Sequence, residues 1–445
     1  MRLFSNKDLL LLFLPALAEQ ALEYLIGMID TLMAAQISEA AISGVSLVDF
    51  ISALMISLFA ALAAGGTIVV GQYLGRGNAH AAQAASHQLM KTVLAAGILL
   101  TLFLAAVRPF ILHILFGTID EDVYAAASLY YDIIIWSVPF LALYNAGAGL
   151  FRSAGNARFP MKVMFYANLL HILGNALFLF MFHMGVEGVA IPSLLSRIGA
   201  ALVLLHAASR PSFRFCLSGW LAGRADWMYI RQILAIGIPF SIENGLFQLG
   251  RIAVLSIVSL FGTAAIASNA VANILGIFIS LPGMAITLAL PVVISRCIGA
   301  GDIGQARYYT RKILRITHGS FIASAILVLA AMPLFLPVYH LSSEAESLTW
   351  TIMLLYSAVN VLIWPSAYIL PVVFRSAGDA RFPLAVSMTT MILCRIVMAY
   401  ILSVTLGLGM LGTWYAMFLD WLAKAIIYIH HYVKGGWARH MIIRN

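Results

Sequence analysis

Charge is what this 445-residue sequence has least of: 10% of its residues are Asp, Glu, Lys or Arg, against roughly 25% in a soluble domain. With 62% hydrophobic residues and a mean hydropathy of +0.97, the chain has too little polar surface for water and is read as an integral membrane protein. Cysteine is nearly missing as well. Cys216, Cys297 and Cys394 are far apart and form no CxxC or similar ligand spacing, which excludes a disulfide framework and a cysteine metal site. There is no HExxH, no GxSxG and no P-loop-type glycine run, so the reading is that the chain is not an enzyme and uses no cofactor or resident metal. Strict alternation of apolar and polar residues is also absent. The apolar stretches, such as Thr92 to Ile111 and Phe321 to Leu336, therefore read as spanning helices and not as barrel strands.

What the sequence does have is a ten-residue phrase written twice, Phe151-Arg-Ser-Ala-Gly-Asn-Ala-Arg-Phe-Pro160 and Phe374-Arg-Ser-Ala-Gly-Asp-Ala-Arg-Phe-Pro383, an offset of 223 (374 − 151). Leu74-Gly-Arg-Gly-Asn78 answers Ile298-Gly-Ala-Gly-Asp302 at 224, and Pro15-Ala-Leu-Ala-Glu19 answers Pro239-Phe-Ser-Ile-Glu243 at the same 224. Ala40-Ala-Ile-Ser43 with Ala264-Ala-Ile-Ala267, and Gly185-Val-Glu-Gly188 with Gly409-Met-Leu-Gly412, keep that register. The chain is two copies of one half. Two homologous membrane halves point to a transporter that rocks about a central site.

The expected fold is an all-α membrane protein of twelve transmembrane helices in two six-helix lobes with a central cleft. The spans are placed near 8–35, 43–74, 87–113, 123–149, 159–182 and 187–208, then 228–260, 264–297, 311–338, 345–372, 382–407 and 409–433. Residues 1–210 are assigned to the first lobe, 211–226 to a linker, 227–434 to the second lobe and 435–445 to a tail. Pro15, Pro139, Pro239, Pro291 and Pro365 fall inside spans and are expected to kink them. Arg2 to Leu14 imitates a signal peptide, but no small-residue cleavage site follows, so it is taken as the start of helix one.

Lys and Arg collect in alternate loops, among them Arg76 and Lys91, Arg152 and Arg158, Arg210, Arg214 and Arg224, Arg307 and Arg311, and Arg375 and Arg381. The opposite loops hold Asp120-Glu121-Asp122 and Glu344/Glu346, with Arg108 the exception. By the positive-inside rule both termini and the 209–227 connection are cytoplasmic, at a bacterial inner membrane. The formal charge of +8 is thus a topology signal and gives no reason to expect nucleic acid. In the repeated phrases Gly155 and Gly378 permit tight turns, Asn156 and Asp379 cap the next helix, and the arginines are expected to anchor the loops at the anionic leaflet.

Met28-Ile-Asp30-Thr31-Leu-Met33, the Glu39-Ala-Ala-Ile-Ser-Gly-Val-Ser46 segment and the two pairs of repeated loops together resemble the MATE multidrug and toxic-compound extrusion transporters over essentially the whole chain. The resemblance implies two six-helix lobes forming a V-shaped cleft, and export of organic compounds coupled to a cation. It also implies a role for Asp30, which matches the acidic first-helix residue that takes part in cation binding in that family. The sequence departs from the family pattern in the fifth helix, where Asn175 stands in place of an acid, and in the sixth, where Ser193 replaces a threonine. A single Asp with neutral oxygens suits H+ exchange, with Na+ at Asp30 the alternative.

Charges within spans are the candidates for mechanism, since each costs about 2.5–3.5 kcal/mol at the bilayer centre on insertion scales. At about 100° per residue, Glu19, Glu23 and Asp30 share one face of helix one. A desolvated carboxyl at such a place can exchange a proton with the aqueous face. Glu19 and Glu243, each four residues after the equivalent proline, are either a pair of cation-binding groups or structural posts, and Arg251 is a candidate to neutralise Glu243. Asp420 and Lys424 have ordinary ion-pair spacing. His171 is either a proton relay or a satisfied hydrogen-bonding residue, and Arg197 and Arg395 either pair with acids or snorkel.

For lipophilic cations a cleft would need aromatic and methionine surfaces. Tyr24, Met28, Met33, Tyr144, Asn145, Phe247, Gln248 and Tyr368 are the candidates, with ordinary lipid or core packing the alternative for each. The function expected is a secondary antiporter, acting as a monomer among membrane lipids, that exports small organic cationic or amphipathic compounds. The other reading is a lipid-linked precursor flippase of the same broad superfamily, which would line its cavity with cations for a pyrophosphate.

Overall fold

The computed structural model describes residues 2–112, 120–210, 213 and 215–439. Arg214 and the end of the 435–445 tail lie outside them. Among the described residues there is no strand. Six helices, α1 (Asn6–Ala35), α2 (Glu39–Gly75), α3 (Ala79–Ala106), α4 (Glu121–Ser153), α5 (Arg158–Met181) and α6 (Glu187–Ala208), make the first half. The second half holds α7 (Trp227–Val258), α8 (Gly262–Gly299), α9 (Ile303–Tyr339), α10 (Ser343–Leu362 and Trp364–Ala377), α11 (Arg381–Thr405) and α12 (Met410–Lys434). Among the described residues the protein is thus an all-α membrane protein with twelve long helices in two homologous halves.

Local chemistry sets the helix ends. Asn78 Oδ1 accepts from Ala81 N–H (3.0 Å) and Asp302 Oδ1 from Gln305 N–H (2.8 Å), satisfying donors that a helix start leaves free. The cap at Asn78 starts α3 at Ala79, well before the 87 expected from hydropathy alone, because its first two turns are polar. At Asp302 the Gln305 N–H also holds the carboxyl below its ordinary value. Of the five prolines expected to kink, Pro365 follows a 43° bend in α10 and Pro139 follows a 3-10 turn, Ile135–Ser137. The helices continue through Pro15, Pro239 and Pro291.

Two compact units result, Phe4–Ser241, and Met1–Leu3 with Ile242–Asn445. Their boundary falls inside α7 because its first turns are held by α2: Tyr73 Oη donates to Gln232 Oε1 (3.1 Å) and Ser241 Oγ to Leu58 O (2.9 Å). Within the first unit α2 packs on α3 and α4, α4 on α6, and α6 on α5; within the second, α8 packs on α9 and α10, α10 on α12, and α12 on α11. The packing order repeats with the sequence. Large apolar side chains such as Leu99, Phe103, Leu170, Ile326 and Leu327 point outward, as expected of surfaces facing lipid.

The repeat also explains a change of register. The π-helical turn Leu177–Met181 in α5 has its copy at Ile401–Thr405 in α11, an offset of 224. A second π-helical stretch, Met391–Val397, has no copy in α5. A π turn closes i→i+5 and so holds one residue more than an α turn. The offset is 223 before that stretch, at Pro160 and Pro383, and 224 after it, at Gly185 and Gly409.

Small residues let the helix backbones approach, as membrane packing favours. A Cβ on Gly65 of α2 would stand 2.6 Å from Gly237 N of α7. Gly65→Ala is therefore expected to cost about 1–3 kcal/mol through overpacking and to lower the thermal midpoint in detergent. Gly199→Ala, where a Cβ meets nothing within 4 Å, should leave it unchanged; equal midpoints for the two variants would refute the close approach.

Candidate functional site

The repeated ten-residue phrases close α4 and α10. Gly155 (φ +90°) and Gly378 (φ +107°) adopt the left-handed conformation, which L side chains resist. The chain then turns so that Asn156 N–H reaches Phe151 O and Asp379 N–H reaches Phe374 O, both at 2.9 Å. Asn156 Oδ1 and Asp379 Oδ1 accept from the N–H groups of Phe159 (3.2 Å) and Phe382 (3.4 Å) as expected of caps.

The first arginine of each phrase is not a leaflet anchor, while Arg158 and Arg381 stay exposed. Arg152 and Arg375 are 6% and 5% exposed and turn inward. Arg152 Nη1 donates to Glu19 Oε1 (3.0 Å) and Oε2 (2.9 Å), and Arg375 Nη1 to Glu243 Oε2 (2.7 Å). Tyr144 Oη donates to Glu19 Oε1 (3.2 Å), and Ser387 Oγ to Glu243 Oε1 (2.7 Å). Charge balance explains the inward turn: a buried carboxylate is tolerable only with a partner and further hydrogen bonds. Arg251, the sequence-based candidate partner of Glu243, instead donates to Gln248 Oε1 (3.4 Å). Arg108 pairs with Asp132 (2.6 Å).

Higher on α1 the surroundings change. Asp30 Oδ1 accepts from Asn175 Nδ2 (3.2 Å) and lies 3.4 Å from His171 Nε2. His171 and Asn175 are four apart on α5, and Ser193 and Arg197 four apart on α6, so each pair shares a face. Ser193 Oγ donates to Val189 O (2.9 Å) and lies 2.7 Å from His171 Nε2. The tautomer of His171 sets which of the two donates in that contact. Arg197 Nη1 donates to Ser137 Oγ (2.7 Å) and lies within electrostatic range of Asp30 and of Asp49 on α2. Asp49 accepts from Tyr130 Oη (3.3 Å). Ser52, Met55, Tyr131 and Arg197 line a small cavity beside this group.

Thus Asp30, Asn175, Ser193 and His171 are brought together. Glu19 is separate from them, and Glu23 is held by Gln20 Nε2 (2.9 Å). Asp49 was not among the sequence candidates; it has no acidic copy at 224, where Asn273 stands. The only available signal was its cost as a charge inside α2.

In the second unit Asp420 and Lys424 pair as their spacing predicts (2.9 Å), and Arg395 Nη1 stands 3.8 Å from the same Asp420 Oδ2. Of the aromatic and methionine candidates, Met28 is exposed, while Tyr24, Met33, Phe247, Gln248 and Tyr368 are half-buried. Tyr144 is buried against Glu19, and Asn145 Nδ2 donates to Leu141 O of its own helix (3.0 Å). Phe247 lies under the Arg395 guanidinium (5.3 Å), and Tyr368 stacks on Trp364 (4.7 Å).

Glu19→Gln or Glu243→Gln strands a buried guanidinium, and breaking such a pair costs about 3–5 kcal/mol. Both variants should show a sharply lower thermal midpoint in detergent. Glu243→Leu combined with Arg375→Met should recover most of the loss, because apolar replacement of a whole pair is close to neutral. Single variants as stable as wild type would show that the pairs do not hold the fold.

The sequence matches the MatE family over residues 15–177 and again over 239–401, one match in each half. It is 24% identical over 455 aligned positions to a Thermotoga maritima protein described as a "probable multidrug resistance protein NorM", covering 98% of this chain and 94% of that one. It is 25% identical over 428 positions to the uncharacterized transporter YisQ of Bacillus subtilis, covering 93% and 91%. A solved structure, the outward-facing conformation of a multidrug resistance MATE family transporter of the MOP superfamily, superposes with a TM-score of 0.89 at 16% identity over 97% of this chain and 96% of that one. With a family match in each half and a shared twelve-helix fold, this chain belongs to the MatE family of transporters.

Proposed function

We propose that this protein is a secondary antiporter that exports organic cationic and amphipathic compounds, that the ion taken in exchange is H+, and that Asp30 carries it. The observation that supports Asp30 is a difference among the intramembrane acids. Glu19, Glu243 and Asp420 each touch an Arg or Lys; Glu23 and Asp49 are held by Gln20 and Tyr130, and Asp30 lies against both an amide and an imidazole. Both carry N–H. That suits a carboxylate that trades its charge for a proton better than it suits a bare cation, whose shell is built of oxygens. Multidrug resistance in the T. maritima relative's name supports the cargo class.

The proposed step follows from hydrogen-bond polarity. Charged Asp30 only accepts, and accepts from Asn175. Protonated, it keeps an acceptor oxygen but gains one O–H that needs an acceptor, which the Asn175 N–H now facing it does not supply. Asn175 Oδ1, which has no hydrogen-bond partner among the described residues, is the acceptor at hand once the amide turns. Each protonation state therefore favours its own packing of α1 on α5, and proton binding can drive a cycle only through such a difference.

Asp30→Asn should fold and insert, since it removes a charge that is expensive to bury. In liposomes under an imposed pH gradient, its export of an organic cation should fall to the level of protein-free vesicles. Export at the wild-type rate would transfer the coupling role elsewhere. The proposed placement, in a bacterial inner membrane with both termini cytoplasmic, rests on the positive loops. Single cysteines at positions 156 and 379, in a background lacking the three native cysteines, should both be labelled from the cytoplasmic side; labelling from opposite sides would refute that topology.

A further inference from the structure

The second unit contains a charge cluster that proton coupling does not use. Arg395 and Lys424 are 8% and 4% exposed, and the Asp420 between them is fully buried. Lys424 occupies Asp420 Oδ2 at 2.9 Å. Arg395 stands off at 3.8 Å, and its Nε and Nη1 have no hydrogen-bond partner among the described residues. Two basic side chains thus face one carboxylate. A buried guanidinium with unmet donors is costly, and an anion accepting from them would offset that cost.

The neighbours of these basic groups are aromatic. Phe247 lies under the guanidinium, and Tyr368, 5.9 Å from Lys424 Nζ, is stacked on Trp364 and set edge-on to Trp421. Phe247 and Tyr368 keep part of their surface exposed. The extra residue of the π-helical stretch Met391–Val397 rotates this part of α11, and π turns inside α-helices recur at functional sites. The two halves also differ in sign here. At an offset of 224 Asp30 becomes Val254, Asn175 becomes Ala399 and His171 becomes Arg395, so an acid-centred group in one half is answered by a cation-centred group in the other.

We propose that this cluster is a binding site for the anionic group of an aromatic monocarboxylate, with the carboxylate on Arg395 and the ring against Phe247 and Tyr368. The proposal rests on the export reading above and extends its cargo to aromatic acids and zwitterions. A guanidinium fork matches a carboxylate in shape as well as charge. One surplus positive charge suits a monoanion, whereas a lipid-linked pyrophosphate would call for more.

Equilibrium dialysis of the purified protein in detergent tests the site without any gradient. The probes are 1-naphthaleneacetate, its neutral isostere 1-naphthaleneacetamide, and inorganic pyrophosphate as competitor. Wild type should bind the carboxylate about tenfold tighter than the amide. Arg395→Gln should bring the carboxylate down to the amide's affinity while leaving the amide unchanged, and Arg395→Lys should restore part of the difference. Equal binding of acid and amide by wild type overturns the site even if Arg395→Gln fails to fold. So does unchanged carboxylate binding in Arg395→Gln, and so does displacement by pyrophosphate at lower concentration than by unlabelled carboxylate. Wild-type vesicles that fail to export under a pH gradient would instead sink the transport reading, with the binding result unaffected.

Discussion

The Glu19–Arg152 ion pair and its copy Glu243–Arg375 tie the body of one helix to the end of another across 133 and 132 residues of chain. In a bilayer neither partner tolerates solitude, so the geometry of α1 against α4, and of α7 against α10, is set by a requirement stricter than apolar packing. Apolar side chains are interchangeable with lipid tails, and helices that presented only leucine would have little reason to choose one neighbour or register. The pairs supply that choice. They also fix the repeated turns, since Arg152 and Arg375 lie just before Gly155 and Gly378, and each turn aims its arginine inward as it hands the chain to the next helix.

On this duplicated frame the chemistry is not duplicated. The ion pairs, the caps at Asn78 and Asp302, and the π turns at 177–181 and 401–405 recur because both halves must solve the same packing problem. Asp30, Asn175 and His171 have no counterparts of the same type, and neither does the pair of Arg395 and Lys424. A residue kept in both copies is most simply explained by the frame. A residue present in only one, and costly where it sits, needs another explanation, and this separates Glu19 from Asp30 although they share a helix face.

Much of this was legible in the sequence. Duplication appears as a constant offset, helix number follows from apolar length, and Asp30 stands out as a charge in an apolar run. The inward turn of Arg152 and Arg375 was not legible, because a basic residue in a loop phrase looks interfacial until the acid it meets, more than a hundred residues away in sequence, is known. Asp49 escaped for a related reason: its neighbours Tyr130 and Arg197 come from α4 and α6, and no local spacing announces them. The bounds of α3 were misplaced because hydropathy registers the apolar part of a helix and misses the polar turns that its cap begins.

The placement of the acids along α1 bears on how a proton could move anything. Glu19 is fixed by a permanent cation, so its oxygens have the same partners in every protonation state of the rest of the helix. Asp30, three turns further along, is held by groups whose roles depend on its charge. On the proposed coupling, a proton arriving at Asp30 would loosen one end of α1 while the Glu19–Arg152 pair keeps the other clamped. A helix held that way could respond by bending or by repacking its free end, and the space beside Gly27, where a side chain would meet nothing within 4 Å, is open to such a movement. In that proposal the clamp would convert a local change of hydrogen-bond polarity into a directed displacement, whereas a helix without it could slip as a whole in its apolar surroundings.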